Sequence, residues 1–63
     1  MDRDILLNKV SVIERCIHRV TDVYDGNPEN LNDFTKQDSI ILNIQRASEA
    51  AIGLALYIVS EKN

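Results

Sequence analysis

Residues 33–56, DFTKQDSIILNIQRASEAAIGLAL, decide the fold of this 63-residue chain. The stretch contains no proline, and its apolar residues recur at helical spacing, so it predicts one long helix that continues to about residue 61. On a helical wheel the apolar positions cover about 200°. They are Ile40, Ile44, Ala47, Ala51, Leu54, Ala55 and Ile58, extended sideways by Ile41, Ile52, Leu56 and Val59. Because one neighbouring helix covers only a narrow stripe, a helix this apolar is expected inside a bundle.

Residues 3–24 predict a first, ordinary amphipathic helix. Its apolar stripe occupies roughly 140° of the wheel and consists of Ile5, Leu6, Val10, Ile13, Cys16, Ile17, Val20, Val23 and Tyr24. Asp2 or Asp4 can cap its first turn. Cys16 lies within the stripe and reads as a small buried hydrophobe, whereas His18 and Arg15 lie on the polar face. We expect the histidine to be an ordinary exposed side chain.

Residues 25–34, DGNPENLNDF, form the predicted connection. Asp-Gly followed by Asn-Pro is turn chemistry, because glycine accepts positive φ and proline disfavours a helical residue before it. Leu31 and Phe34 are expected to tuck under this loop. The pair Thr35 and Asp38 resembles a capping box and predicts that the second helix begins at Thr35. The whole chain is thus one all-α domain, an antiparallel helical hairpin with helices at about 3–24 and 35–61.

Length and composition restrict how such a hairpin becomes stable. A chain of this size is marginal alone, and one cysteine and one histidine provide neither an internal disulfide nor a zinc-type ligand set. No metal or cofactor is expected, so dimerisation or further helices must supply the missing stability. A net charge of −3 argues against a module that coats nucleic acid. No apolar run reaches a membrane span, and the N-terminus is unlike a signal peptide, which predicts a cytoplasmic protein.

A narrow polar strip crosses the second helix, and two interpretations of it stay open. The strip consists of Ser39, Asn43, Arg46, Glu49, Gly53, Tyr57 and Ser60. In the first interpretation the strip is solvated and Arg46 pairs with Glu49 three residues later, an interaction worth a few tenths of a kcal/mol. In the second, the strip lines a cleft in which the arginine orients an anionic group. The pattern favours neither strongly.

Two segments of the chain carry a resemblance to a known family. ILLNKVSVIERCIHRV and DFTKQDSIILNIQRASEAAIGLALYIVSEK resemble the N-terminal half of the HepT-like proteins of the HEPN superfamily. The second segment is the more specific one, because its polar residues stand at fixed places: Asp38, Asn43, Gln45, Arg46 and Glu49. The resemblance implies an all-α bundle that forms a homodimer. It also implies a metal-independent ribonuclease toxin of a type VII toxin–antitoxin pair, whose antitoxin is an MNT-type nucleotidyltransferase.

The catalytic element that the resemblance implies, Arg-x4–6-His, does not occur in these 63 residues. An arginine would have to stand at residues 11–13 before His18, and these residues are serine, valine and isoleucine. We therefore expect no catalytic residue in this chain and no activity by itself, with RNA as a substrate only where the C-terminal half is present. The resemblance implies that four residues lie on the wall of the dimer cleft: Asp38, Asn43, Arg46 and Glu49. There they would position an RNA phosphate or the catalytic arginine of a later helix. On that view Arg46→Ala should weaken toxicity more than Arg15→Ala.

Two other functions remain open at this point. The chain could be a stand-alone helical module that dimerises or binds a partner helix. It could also belong to a HEPN-type bundle that binds nucleotides without cleaving RNA. The presence of Arg-x4–6-His elsewhere in the native polypeptide would separate the nuclease from both.

Overall fold

The computed structural model describes residues 2–62 as two antiparallel helices joined by a short connection. Helix α1 spans Arg3–Tyr24 and helix α2 spans Phe34–Lys62, with a short 3-10 turn at Pro28–Asn32 between them. Residues 2–62 contain no strand. The predicted all-α helical hairpin is therefore confirmed. Because the two helices lie side by side, the molecule is elongated and measures 46 × 15 × 14 Å.

Both ends of α1 are closed by aspartates. The Asp2 carboxylate accepts hydrogen bonds from the backbone N–H groups of Asp4 at 2.8 Å and Ile5 at 3.4 Å. At the other end Asp25 adopts a left-handed conformation with φ 52°, and its N–H donates to the Thr21 carbonyl at 2.9 Å. Gly26 follows at φ 66°, the positive φ that the turn sequence predicts. Of the two possible caps, Asp2 is the one that α1 uses.

The start of α2 differs from the expectation based on Thr35 and Asp38. The carboxylate of Asp33 accepts the backbone N–H of Lys36 at 3.1 Å, so Asp33 is the cap and Thr35 lies inside the first turn. Asp33 has an extended backbone, φ −85° and ψ 115°, which suits a residue that precedes a helix. The helix therefore begins one residue earlier than the capping-box pattern predicts.

The expectation that Leu31 and Phe34 tuck under the loop is wrong. Leu31 is 42% exposed and Phe34 is 79% exposed. Polar contacts hold the connection instead: the Asn30 side-chain amide donates to the Tyr24 carbonyl at 2.7 Å, and its oxygen accepts from the Lys36 ammonium at 3.0 Å. Because Asn30 links the end of α1 to the start of α2, the connection is held in place without a buried apolar side chain.

The interior of the hairpin is very small. Within residues 2–62 the buried apolar side chains are Cys16 and Ile40, each 7% exposed. The predicted burial of the cysteine is confirmed, and its thiol is not in a disulfide. Twelve large apolar side chains in the same range are more than a third exposed: Ile5, Leu7, Val10, Ile17, Leu31, Phe34, Ile41, Leu42, Ile44, Ile52, Leu56 and Val59. The hairpin thus leaves many of its large apolar side chains in contact with water.

Helix α2 turns part of its polar strip toward α1, together with part of its apolar face. Asn43, Gly53 and Tyr57 are half-buried, whereas Ile52 and Leu56 are 61% and 64% exposed. Ile40 is buried, and Leu54 and Ile58 are half-buried, so the side of α2 that points away from α1 is the one that carries Ile52 and Leu56. The same part of the chain, residues 2–62, has no helix long and apolar enough to cross a membrane.

Candidate functional site

Two of the four site residues expected from the resemblance lie together in a groove between the helices. Asn43 and Arg46 line one wall of this groove. Asp38 and Glu49 are exposed side chains of α2 that do not line it, and neither makes a hydrogen bond or ion pair with another residue in the range 2–62. The structure therefore brings together the amide and the arginine and leaves the two carboxylates outside.

Helix α1 supplies the opposite wall with two further arginines. Arg15 and Arg19 are one turn apart and lie on the same side of the helix as Val12 and Cys16. Together with Asn43 and Arg46 they enclose about 250 Å³. We call this feature the arginine groove. It is a shallow depression lined by three arginines, one asparagine and the apolar residues Val12 and Cys16.

The register of the hairpin explains why these arginines meet. Asp2 contacts Tyr57, and Lys9 lies over Gly53. Residue numbers therefore fall along α2 as they rise along the facing positions of α1. The same progression brings Arg15 and Arg19 of α1 to the level of Arg46 and Asn43 of α2. The helical period predicts Arg15 on the solvated face opposite the apolar stripe, and it does not single out Arg19. Their spacing of four residues shows that Arg15 and Arg19 share one side of α1. Whether that side meets Arg46 depends on the register between the two helices.

Asn43 lines the arginine groove from the side of α2. It is half-buried, and its side-chain amide nitrogen donates to the Ser39 carbonyl at 2.8 Å. This bond fixes the side chain along its own helix and leaves the amide oxygen as an acceptor. Asn43 also borders a second groove of about 230 Å³, lined mainly by apolar residues such as Ile17, Val20, Ile44 and Ala47.

The three guanidinium groups of the arginine groove have no partner among residues 2–62. No hydrogen bond or ion pair joins Arg15, Arg19 or Arg46 to another residue in that range. The Arg46–Glu49 pair of the first interpretation is thus not formed within these residues. His18, which directly precedes Arg19 on α1, contacts Asp22 at 3.2 Å between Nδ1 and Oδ2, and both side chains are exposed. The groove is consequently a local concentration of positive charge on an acidic chain.

Other site chemistry is sparse in the described part of the chain. Residues 2–62 contain no group of three or more His, Cys, Asp or Glu side chains placed to hold a metal ion. Cys16 lies at the base of the arginine groove but is buried. What the groove offers chemically is a set of charged hydrogen-bond donors, which bind and orient an anion.

The fold and the groove define a class of molecule. It is a small all-α hairpin with a basic groove between its helices and exposed apolar side chains on α2. Comparison with curated proteins finds a relative, the mRNA nuclease HepT of Shewanella oneidensis, which is 49% identical over 55 residues. The match covers 87% of this chain and 41% of that relative. The resemblance to the HepT-like proteins of the HEPN superfamily is confirmed, and the chain is HepT-like along the matched residues. No family model matches the chain, and no solved structure matches it.

Proposed function

We infer that the chain is the N-terminal hairpin of a HepT-like ribonuclease toxin. The observation that supports this most is the 49% identity to an mRNA nuclease over 87% of the chain. The hairpin is also consistent with a part of a larger bundle, because its apolar side chains on α2 have no cover within residues 2–62. Additional helices packed on Ile52 and Leu56 would complete a core that the hairpin does not build by itself.

The cellular location, the oligomeric state and the partner that we propose rest on the same similarity to HepT-like proteins. The toxin acts in the cytoplasm as a homodimer, belongs to a type VII toxin–antitoxin pair, and is silenced by an MNT-type nucleotidyltransferase. Since Arg-x4–6-His is not present in these 63 residues, they do not cleave RNA by themselves. The hairpin would contribute the wall of the cleft, and the catalytic pair would come from the part of the polypeptide that corresponds to the rest of the relative.

A chimera tests this proposal directly. The segment of the Shewanella oneidensis nuclease that aligns with this chain is replaced by the 55 matched residues, and cleavage of an mRNA is compared with that of the parent nuclease. We expect the chimera to cleave the mRNA, because the hairpin would supply the same scaffold to the remaining helices. The unmodified 63-residue chain should produce no cleavage under the same conditions.

A folding control keeps the experiment decisive. Far-UV circular dichroism and thermal unfolding of the chimera are compared with those of the parent protein. A chimera that unfolds cooperatively but leaves the mRNA intact would contradict the proposed function. If the chimera does not fold, a second chimera that takes only residues 34–62 from this chain tests the more specific of the two segments.

One observation favours a second candidate, a helical module that associates with its own copies or with a partner helix. Ile52 and Leu56, one turn apart on α2, are 61% and 64% exposed, and neighbouring exposed apolar side chains are typical of an interaction surface. A HEPN-type bundle that binds nucleotides without cleaving RNA stays a separate alternative. An inactive but folded chimera together with a self-associating hairpin would support the module.

A further inference from the structure

An exposed apolar surface lies at the loop end of the hairpin, outside the arginine groove. Phe34 is 79% exposed, Ile41 48% and Leu31 42%. Phe34 is the first residue of α2, and Ile41 follows about two turns later on the same side of that helix. Leu31 stands three residues before Phe34 in the 3-10 turn, so their Cα atoms are at most about 11 Å apart. We call these three residues the loop-end surface.

The negative charge of the chain is concentrated around the loop-end surface. Residues 22–38 contain five carboxylates and one lysine, a net charge of −4, whereas the other residues together carry +1. The five carboxylates belong to Asp22, Asp25, Glu29, Asp33 and Asp38. Asp33 directly precedes Phe34, and Asp38 lies one turn after Phe34 on the same side of α2. The apolar surface is therefore flanked by carboxylates along α2.

Most of these carboxylates are not neutralised inside the hairpin. Asp22 contacts His18 at 3.2 Å. Asp25, Glu29 and Asp38 are exposed and form no ion pair with another residue in the range 2–62. The lysine of this stretch donates to an asparagine side chain and not to a carboxylate. An apolar surface with an acidic rim attracts cations and repels the phosphates of nucleic acids and of anionic lipids.

We propose that the loop-end surface docks a basic segment of a partner protein, one that combines arginine or lysine with an apolar side chain. A guanidinium or ammonium over the Phe34 ring makes a cation–π contact, and the flanking Asp33 and Asp38 balance its charge. The methylene stem of the same side chain covers apolar surface. A protein segment fits better than a small cation, which would leave the surface wet. Docking here goes beyond the proposed nuclease function and does not depend on it.

A synthetic peptide tests the loop-end surface in the 63-residue chain. The probe is a short, fluorescein-labelled amphipathic peptide of arginine and leucine, titrated by anisotropy. Phe34→Ala should weaken binding about 10-fold or more, because it removes the ring that the peptide covers. Leu56→Ala is the matched control, since it truncates a 64% exposed side chain of α2 outside the surface, and it should leave binding nearly unchanged. Circular dichroism checks that both variants stay helical. Equal losses in the two variants would overturn the proposal.

A second pair of variants tests the acidic rim. Asp38→Asn should weaken binding by up to about 5-fold, the range of an exposed ion pair, and added NaCl should lower the affinity further. Glu49→Gln removes another exposed carboxylate of α2, about 16 Å further along the helix, and should have little effect. A peptide with glutamate in place of arginine should not bind. Tight binding of that acidic peptide, or equal losses in the two variants, would show that charge does not select the partner.

A second copy of the hairpin is the competing occupant of the loop-end surface. Sedimentation equilibrium of Phe34→Ala and Leu56→Ala decides between the two. If Phe34→Ala lowers self-association more than Leu56→Ala does, copies of the chain cover this surface and the proposed partner is wrong. Unchanged self-association of Phe34→Ala beside weakened peptide binding supports the partner. A folded but inactive chimera would refute the nuclease function and leave peptide binding at this surface as it is.

Discussion

The backbone N–H of Asp2 donates a hydrogen bond of 2.7 Å to the hydroxyl oxygen of Tyr57, 55 positions later in the chain. This bond joins the beginning of α1 to the final turns of α2 and fixes the register at the end of the hairpin opposite the loop. The carboxylate of Asp2 caps α1 at the same time, so one residue closes the helix and holds its neighbour.

Replacing this tyrosine should weaken the hairpin in a way that depends on pH. The Asp2 N–H bond lowers the pKa of the Tyr57 phenol, but burial, a hydrogen bond with Glu61 and the negative charges of Glu61 and Asp2 together raise that pKa above its ordinary value of 10.0. A raised pKa means that the fold favours the neutral phenol. The contribution is complete below pH 10 and is lost as the pH rises through the raised value.

The measurement for Tyr57→Phe is the thermal midpoint at pH 8, pH 10 and pH 11. At pH 8 the variant should unfold at a lower temperature than the original protein, because the Asp2 N–H loses its acceptor. Above pH 10 the difference should shrink, since only the original protein has to accommodate the phenolate at this position. A difference that stays constant from pH 8 to pH 11 would show that Tyr57 does not titrate in this way.

Gly53→Ala should stabilise the hairpin by about 0.5–1 kcal/mol, the usual advantage of alanine over glycine inside a helix. A methyl group at this position would lie 3.0 Å from the Lys9 ammonium nitrogen. Because that nitrogen is the end of a long flexible side chain, it can shift by a few tenths of an ångström. Urea unfolding of Gly53→Ala and of Gly53→Ala combined with Lys9→Ala measures the effect. If alanine is stabilising only when Lys9 is removed, the ammonium is held more firmly at this site than we expect.

Asp33→Ala should cost about 0.5–2 kcal/mol, the typical loss when a helix cap is removed. The carboxylate accepts the N–H of Lys36 and its negative charge also suits the positive end of α2. Thr35→Ala is the matched control, because Thr35 lies inside the first turn and alanine is the better helix former. Chemical denaturation of both variants compares the two assignments of the cap. A larger loss for Thr35→Ala would restore the capping-box interpretation.

The sequence predicted the helices and the chemistry of the connection but not how the two helices face each other. Periodicity identified both helices, and the Asp-Gly pair predicted the positive φ of Gly26. The wheel of α2 has apolar residues over most of its arc, so it did not reveal that Asn43 and Tyr57 would lie toward α1. The meeting of Arg15, Arg19 and Arg46 could not be predicted either, because it depends on the register between helices. Of the expected site residues, Asp38 and Glu49 lie outside the groove that contains Asn43 and Arg46.

Self-association through α2 is the last prediction, and it follows from the apolar surface that α1 does not cover. Ile52 and Leu56 stand one turn apart and are 61% and 64% exposed. Burial of one such side chain contributes about 1.5–3 kcal/mol to the free energy of association. A second copy of the hairpin that covers both side chains is therefore stabilised by several kcal/mol. Sedimentation equilibrium should show dimers or larger species at micromolar concentration. Ile52→Lys with Leu56→Lys should raise the dissociation constant about 100-fold or more, whereas the control Ser11→Lys on the exposed side of α1 should leave it nearly unchanged. A monomer at every concentration of the original chain would show that α2 is stable with its apolar surface in water.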